Sequence, residues 1–410
     1  MKNLVILGAG TAGTMMANHL KKRLDLSQWQ ISIVDQYKTH YYQPGFLFLP
    51  FDTYKESDVV KNKKDFIPKG VKYIQERIER IDAKNNEVLL ENQIINYDIL
   101  IIATGTKIAP EEVEGMDGPL WQKEVFDFYT FEGAKNLRDK LRVWEGGKLV
   151  VHFTEMPIKC PVAPLEFVFL ADDFFRKKGM RDKVELTYVT PLGGAFTKPQ
   201  ATQELSYLLK EKNIEVVTDF NIERVDNQKK QIIDYADEAV DFDLLVTVPT
   251  NMGDALIERS GLGDDLNFVP TDKNTLQSKA HENIFVIGDA TNLPASKAGS
   301  VAHFQAETLT DNIELFIKGQ ALKKEFDGHA NCFIETGNQK ALLIDFNYET
   351  EPVKGSFPFA KFGPMSLLKE SVLNHWGKLA FRWIYWNMLL KGIPIPFVGR
   401  NMSKSGKQLK

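Results

Sequence analysis

The chain carries two cysteines, Cys160 and Cys332, far apart in its 410 residues. Cys160 sits in the segment Thr154-Glu-Met-Pro-Ile-Lys-Cys-Pro-Val-Ala-Pro-Leu-Glu166, ahead of a helix expected over 167–178. Two lone thiols are commonly inert small hydrophobes. They cannot complete a structural zinc site, and no metal site is expected. Nor do they make a disulfide scaffold. The placement of Cys160 argues for reactivity: a loop before a helix N-terminus, with Lys159 alongside, favours the thiolate. A pair of this kind can act as a redox couple. Its disulfide accepts a nucleophile, and the released thiolate passes two electrons to a carrier.

The carrier is read from the N-terminus. Lys2 to Leu7 is a β-rich run that ends in Gly8, and Thr11 to Leu24 has helical periodicity. Gly8, Gly10 and Gly13, with Ala12 between, spell G-x-G-x-x-G. The first glycine allows the tight turn, the second lets backbone approach a pyrophosphate, and the third lets helix and strand pack closely. The helix N-terminus offers its free N–H groups to phosphate. A second strand, 30–34, ends at Asp35-Gln36, where a carboxylate can meet a ribose hydroxyl. A generic βαβ turn is the alternative; strand, helix and acid in register favour a dinucleotide. The same spacing argues against a signal peptide.

Two later runs extend this pattern. Asp98 to Gly105 is a buried strand ending in Ala103-Thr104-Gly105, and Asn283 to Ala290 ends in Gly288-Asp289-Ala290. With the opening motif they resemble the three-part signature of flavoproteins with two dinucleotide-binding domains. That resemblance implies FAD, Asp289 near its ribityl and phosphate region, and the Arg77-Ile78 backbone near adenine. Members that use NAD(P)H carry a second glycine motif in mid-chain. Here the equivalent strand, 148–153, leads into Met156, Pro157 and Ile158, which cannot give a pyrophosphate the close approach of glycine. Another strand at 184–189 keeps the βαβ frame. The nicotinamide site is read as lost and replaced by thiol chemistry.

The resemblance then narrows. PIKCPVAPLEF, FFRKKGMRDKVELTYVTPLGGAF, TNLPASKAGSVAHFQAETL, CFIETGNQKALLIDFNYETEPVKGSFPF and YWNMLLKG are similar to segments of the sulfide:quinone oxidoreductases, nearly end to end. The similarity is to the two-cysteine branch that includes the mitochondrial enzymes, which implies FAD held non-covalently. It further implies that Cys160 and Cys332 rest as a disulfide or sulfur-bridged pair, that sulfide attacks at one of them, Cys332 being favoured, and that a small sulfur acceptor later removes the sulfane sulfur. Electrons pass through FAD to quinone. Glu166 has two readings: a proton-handling group, as proposed in bacterial relatives, or a helix-start carboxylate held by the dipole. Lys297 stabilises the flavin pyrimidine edge or is a solvated loop lysine. Phe333, Phe359 and Phe362 are candidate quinone-lining residues by position alone. His40 and His303 are given no role.

Quinone lives in lipid, so the tail matters. No acid occurs from Ser371 to Lys410, while Lys378, Arg382, Lys391, Arg400, Lys404, Lys407 and Lys410 are basic. Periodicity groups Trp376, Leu379, Trp383 and Trp386, and Pro394 and Pro396 end the pattern. Such a helix is suited to the headgroup layer; docking on the protein's own core or on a second subunit of a homo-oligomer is the alternative. The apolar run at 41–49 walls the flavin or touches membrane. No apolar run reaches the roughly 20 residues that span a bilayer. A net charge of -4 points to no nucleic-acid partner. The expectation is an α/β fold: an FAD-binding domain at 1–112 and 270–330, a second Rossmann-like domain at 113–269, and a membrane-associating module at 331–410. The expected location is the cytoplasmic face of a bacterial inner membrane. Competing readings are a type II NADH:quinone dehydrogenase, a flavocytochrome-type sulfide dehydrogenase and a non-enzymatic FAD-binding protein.

Overall fold

The computed structural model describes residues 1–360 and 363–409. The N-terminal strand Lys2–Leu7 lies at the centre of a five-stranded parallel sheet, in the order Ile284–Val286, Ile99–Ile102, Lys2–Leu7, Trp29–Val34, Lys72–Ile74. Side chains alternate across a strand. Leu4 and Ile6 therefore enter one core with Ile31, Ile33, Ile99 and Ile101, while Val5 and Leu7 enter another with Val34, Leu100 and Ile102. Both faces are covered, which is why the runs Leu4–Leu7 and Ile99–Ile102 are continuously apolar. The helix Thr11–Arg23 lies on the first face and runs against the helix Gly299–Ile317.

A second five-stranded parallel sheet repeats the plan, in the order Val125–Phe126, Leu244–Val248, Gly147–Phe153, Val184–Val189, Glu215–Val217. Its central strand also feeds two cores: Leu149, Val151 and Phe153 join the large one, and Val150 a smaller one. The helix that follows is Ala163–Lys177, longer at its start than the expected 167–178. Pro164 lies in its first turn, where a missing N–H costs nothing. The antiparallel pair Thr106–Ala109 and Thr250–Gly253 links the segments that cross between the sheets.

The C-terminal residues build a four-stranded sheet, in the order Ala330–Gly337, Lys340–Phe346, Met365–Leu367, Gly355–Phe357. Strand Ala330–Gly337 packs on helix Ala163–Lys177, which carries Cys332 to the level of Cys160. Helix Val372–Ile384 packs on the other side of the hairpin and continues into a π-turn, Tyr385–Leu389. The run 41–49 does not face membrane: Phe46, Leu47, Phe48 and Leu49 are buried in the large core, and Gln43–Leu47 forms a short 3-10 helix.

Candidate active site

The first βα turn is built from close backbone contacts. Gly8 has a φ of +94°, and a Cβ there would meet the Ala103 carbonyl oxygen at 2.5 Å. A Cβ on Gly13 would meet the Gly8 carbonyl oxygen at 1.9 Å, while nothing lies within 4 Å of one on Gly10. A Cβ on Gly288 would touch the Ala12 methyl at 3.0 Å. The three signature segments thus converge on one point, and the open side of Gly10 is left for a ligand. Beside it a cavity of about 440 Å³ is lined by Gly8, Asp35, Gln36, Ile78 and Thr104, among others, within the usual size of a cofactor cleft. The Thr104 hydroxyl is buried without a partner. Glycine cradle, cavity and orphaned hydroxyl all fit the nucleotide half of FAD. Gly105, at φ +71°, turns the chain after Thr104.

Asp35 is less free than the sequence suggests. Its Oδ2 accepts from the Ala9 N–H at 2.8 Å and pairs with Lys63 Nζ at 2.6 Å, and its Oδ1 accepts from the Tyr37 N–H at 2.8 Å. With about four acceptor positions per carboxylate, one on Oδ1 remains for a hydroxyl. Lys297 is not a solvated loop lysine. Its Nζ donates to the carbonyls of Asp289 at 2.8 Å and Thr291 at 2.7 Å, and sits 3.7 Å from the Phe268 ring centroid. Burial lowers its pKa to about 8. Burial raises the Asp289 carboxyl, against the pull of Lys297 and Lys159.

The second βα turn carries Cys160 in the left-handed region, at φ +45°. The loop is tied on every side. The Cys160 N–H donates to the Lys297 carbonyl at 2.7 Å, the Lys159 N–H donates to Asn251 Oδ1 at 3.0 Å, and the Tyr129 hydroxyl donates to the Lys159 carbonyl at 2.6 Å. Strain at Cys160 is held by these contacts. Cys332 enters from the C-terminal sheet, and both thiols border the same core, with Cys332 close enough to bear on the ionisation of Cys160. They are separate thiols in this structure.

The expected activation by Lys159 is not what the structure shows. Lys159 Nζ points to Gln43 Oε1 at 3.2 Å. Burial pushes the Cys160 thiol well above its ordinary range, the Glu166 carboxylate adds to this, and the opposing cation is Lys378. Burial likewise pushes the Cys332 thiol up to about 12, with Lys378 again opposing. Lys378 belongs to the tail helix, where the sequence suggests a membrane-facing charge. Instead its Nζ donates to Glu166 Oε1 at 2.8 Å and to the Phe333 carbonyl at 3.2 Å. Glu166 is fully buried; Oε1 also accepts from the Glu335 N–H at 2.9 Å, and Oε2 has no partner. Glu166 does lie in the first turn of helix Ala163–Lys177, but it is paired internally with Lys378 beside the sulfurs.

Three residues that sequence reasoning missed complete the surroundings. Glu335 is buried, and His375 Nδ1 lies 2.9 Å from its Oε2. Tyr129 holds the cysteine loop. His375 and Lys378 are spaced to share a helix face, but no sequence signal links that face to Glu166.

The tail divides its aromatics in two. Trp376 and Trp383 are 55% and 62% exposed, alongside exposed Val372 and Leu373. Trp386 departs from the expected stripe: it is buried, stacks on Phe66 at 5.2 Å between centroids, and donates from Nε1 to the Asp58 carbonyl at 3.2 Å. Its neighbour Tyr385 hydrogen-bonds Thr11 and His40, each at 2.7 Å. Several expected membrane cations are engaged internally: Arg382 with Asp58 at 2.6 Å, Arg400 with Asp311 at 2.6 Å, and Lys407 with Asp345. Phe333 abuts Gly377 of the tail helix. Phe359 is exposed, 5.2 Å from the Phe397 ring centroid. Phe362 lies outside the described residues. His303 is buried in the helix Gly299–Ile317.

Residues 2–151 match the pyridine nucleotide-disulphide oxidoreductase family. The chain is 28% identical to the mitochondrial sulfide:quinone oxidoreductase of Mus musculus, over 95% of this chain and 86% of that one. It is 29% identical to the mitochondrial sulfide:quinone oxidoreductase of Dictyostelium discoideum, again over 95% and 86%. The solved sulfide:quinone oxidoreductase of Aquifex aeolicus superposes with a TM-score of 0.80 and 19% identity, covering 100% of both chains.

Proposed function

We propose that this FAD-binding relative of the sulfide:quinone oxidoreductases oxidises sulfide at the Cys160–Cys332 pair and delivers the electrons to quinone. The observation that carries the reading is the second βα turn. It keeps the frame of a nucleotide site, yet presents a thiol where a glycine turn would stand, and the C-terminal sheet brings a second thiol to it. In the disulfide state, hydrosulfide attacks the Cys332 sulfur. The S–S bond breaks, Cys332 becomes a persulfide, and Cys160 leaves as the thiolate. A second nucleophile, such as sulfite, a small thiol or more sulfide, takes the sulfane sulfur and leaves Cys332 as a thiolate. Reclosure of the Cys160–Cys332 bond releases two electrons. FAD, held at the Gly8–Gly13 cradle, supplies the two-electron relay to quinone.

The chain's own residues set the charge for these steps. Lys378 is the cation that favours thiolate at both sulfurs, and Glu166 Oε2 is an open acceptor for a proton. Reading 1–112 with 270–330 as the flavin domain leaves 113–269 and 331–410 to frame the cysteines. The exposed face of Val372, Leu373, Trp376 and Trp383 supports contact with a lipid headgroup layer, where quinone is met. Among the described residues, no helix is long and apolar enough to cross a membrane.

An anaerobic sulfide titration of the flavin spectrum tests the reading. Bleaching, or a long-wavelength charge-transfer band, is expected with sulfide, and neither with NADH. Rapid bleaching by NADH and none by sulfide would overturn it in favour of a nicotinamide-dependent quinone reductase.

A further inference from the structure

The segment Tyr385–Gly392, YWNMLLKG, carries no step of the proposed reaction, yet it is built into the flavin site. It follows helix Val372–Ile384 as a π-turn, and Tyr385, Trp386 and Leu389 are all buried. Single π-turns of this kind recur at functional sites. The segment runs along the helix that follows the glycine motif, Thr11–Arg23, and holds it at two places. At the start of that helix, the Tyr385 hydroxyl hydrogen-bonds Thr11 Oγ1 at 2.7 Å. About three turns further on, Lys22 Nζ donates to the carbonyls of Lys391 at 2.9 Å and Gly392 at 2.8 Å. Gly392 stands at φ +59°, and a Cβ there would meet His19 Cδ2 at 3.1 Å, so the backbone lies close on the helix.

We propose that Tyr385 is a positioning residue for the cofactor: from the far end of the chain it fixes the first turn of the flavin helix, the turn that faces the FAD pyrophosphate. That helix begins at Thr11, directly after Gly10, with no acidic residue in its first turn and no side-chain hydrogen bond capping it. Its opening N–H groups are therefore left for phosphate. How well they serve depends on how firmly the turn is held. The Tyr385 hydroxyl holds it through Thr11, and is itself held by His40 Nε2 at 2.7 Å. Burial lowers His40 to about 3, with Lys63 adding to this, so the imidazole is a neutral partner. One hydroxyl serves both neighbours, since it can donate to one and accept from the other. This role depends on the flavin cradle and not on which donor reduces the flavin.

Trp386 supplies the contrast. It docks the same segment by stacking on Phe66 at 5.2 Å and donating to the Asp58 carbonyl at 3.2 Å, with no bond to Thr11. Loosening Trp386 weakens the docking of the segment; removing the Tyr385 hydroxyl breaks its one link to the phosphate-facing turn and leaves Thr11 and His40 each short of a partner.

The test uses the flavin-loaded full chain with Tyr385→Phe, Thr11→Val, Thr11→Ser and Trp386→Phe. Flavin release after dilution is followed by the rise in flavin fluorescence. Release is expected to be about fivefold faster in Tyr385→Phe and in Thr11→Val, the size of one lost hydrogen bond. Combining the two should add nothing further, because both remove the same contact. Thr11→Ser keeps the hydroxyl and should release flavin at the parent rate. Phosphorus NMR of the bound cofactor separates positioning from loosening: the pyrophosphate signals should move in Tyr385→Phe and stay in place in Trp386→Phe. Parent-like release or unmoved signals in Tyr385→Phe, fully additive effects in the double variant, or an equal displacement in Trp386→Phe would each overturn the proposal. If Tyr385→Phe does not fold, the Thr11 pair decides: equal release from Thr11→Val and Thr11→Ser would overturn it. None of these readouts uses sulfide or quinone, so failure here leaves the proposed reaction standing, and failure of that reaction leaves this role to be decided by the same measurements.

Discussion

Two βα turns occupy equivalent places in the two parallel sheets, and they are built in opposite ways. The turn at Gly8–Gly13 is short and made of backbone: two of its glycines stand where a Cβ would strike a carbonyl oxygen, and the third faces open space. The turn between Phe153 and Ala163 is long and made of side chains and ties. Ile158 and Val162 are buried, Cys160 is held at positive φ, and three hydrogen bonds from neighbouring segments pin it. One frame thus yields a phosphate cradle when its turn can be approached, and a thiol platform when its turn is filled. The difference lies in what the turn offers, since the strands and helices around both are alike.

The largest expected effect comes from closing the cradle. Gly13→Val should lower bound flavin at least about tenfold, because its Cβ has no room beside the Gly8 carbonyl; the absorbance ratio of purified protein reads this. Met156→Gly, in the other turn, should leave flavin content as it was. If both changes cost flavin equally, the contrast between the turns fails. Cys160→Ser comes next. Sulfide-dependent quinone reduction should fall by about a hundredfold or more with flavin retained, and a rate near the parent's would remove the thiol platform from the reaction.

Smaller effects separate the two lysines at the second turn. Lys378→Met strands the Glu166 charge in the interior and should destabilise the protein by about 3–5 kcal/mol. Lys159→Met should cost less, since its ammonium donates to the exposed Gln43 amide and feels Asp289 and Asp127 only at a distance. Urea midpoints distinguish them, and equal shifts would return Lys159 to the role the sequence suggested. The carboxyl beneath this turn also sets a pH dependence. Glu335 keeps its proton up to about 8 when folded, but loses it near 4.3 when unfolded. Between those values the folded state binds more protons, so stability falls as pH rises, and the contribution is gone above the folded value. Glu335→Gln should flatten that fall, as measured by urea midpoints along the range. The smallest effect is expected from the Trp376→Ala/Trp383→Ala pair, which should weaken sedimentation with liposomes severalfold while leaving flavin and soluble-quinone activity intact.

Much of the fold was legible because its strands are buried on both faces and its turns need particular residues. The continuous apolar runs at Leu4–Leu7 and Ile99–Ile102 suit a parallel sheet covered on both faces. Gly8, Gly10 and Gly13 announce a close backbone approach before any coordinates are known. The start of helix Ala163–Lys177 was less legible, because Pro161 and Pro164 read as loop residues. Trp386 and several cations of the tail depart from the expected pattern for a physical reason. A helix with cations and tryptophans on it has the same periodicity whether its cations face headgroups or buried carboxylates, and Trp386 follows the stripe in sequence while packing on Phe66 in space.

What the sequence by itself determined was therefore local: the glycine cradle, the loss of its counterpart, the presence of two thiols and the alternation that makes two covered sheets. Each follows from steric or periodic rules acting over a few residues. Only the tertiary structure decided which charges meet the sulfurs. Lys159 is adjacent to Cys160 in the chain and points to Gln43. Lys378, from the far end of the chain, lies against Glu166 because strand Ala330–Gly337 packs on the helix that follows Cys160 and helix Val372–Ile384 packs on the same hairpin. Electrostatic partners are set by distance through space and by burial, and neither is written in the spacing of residues along the chain.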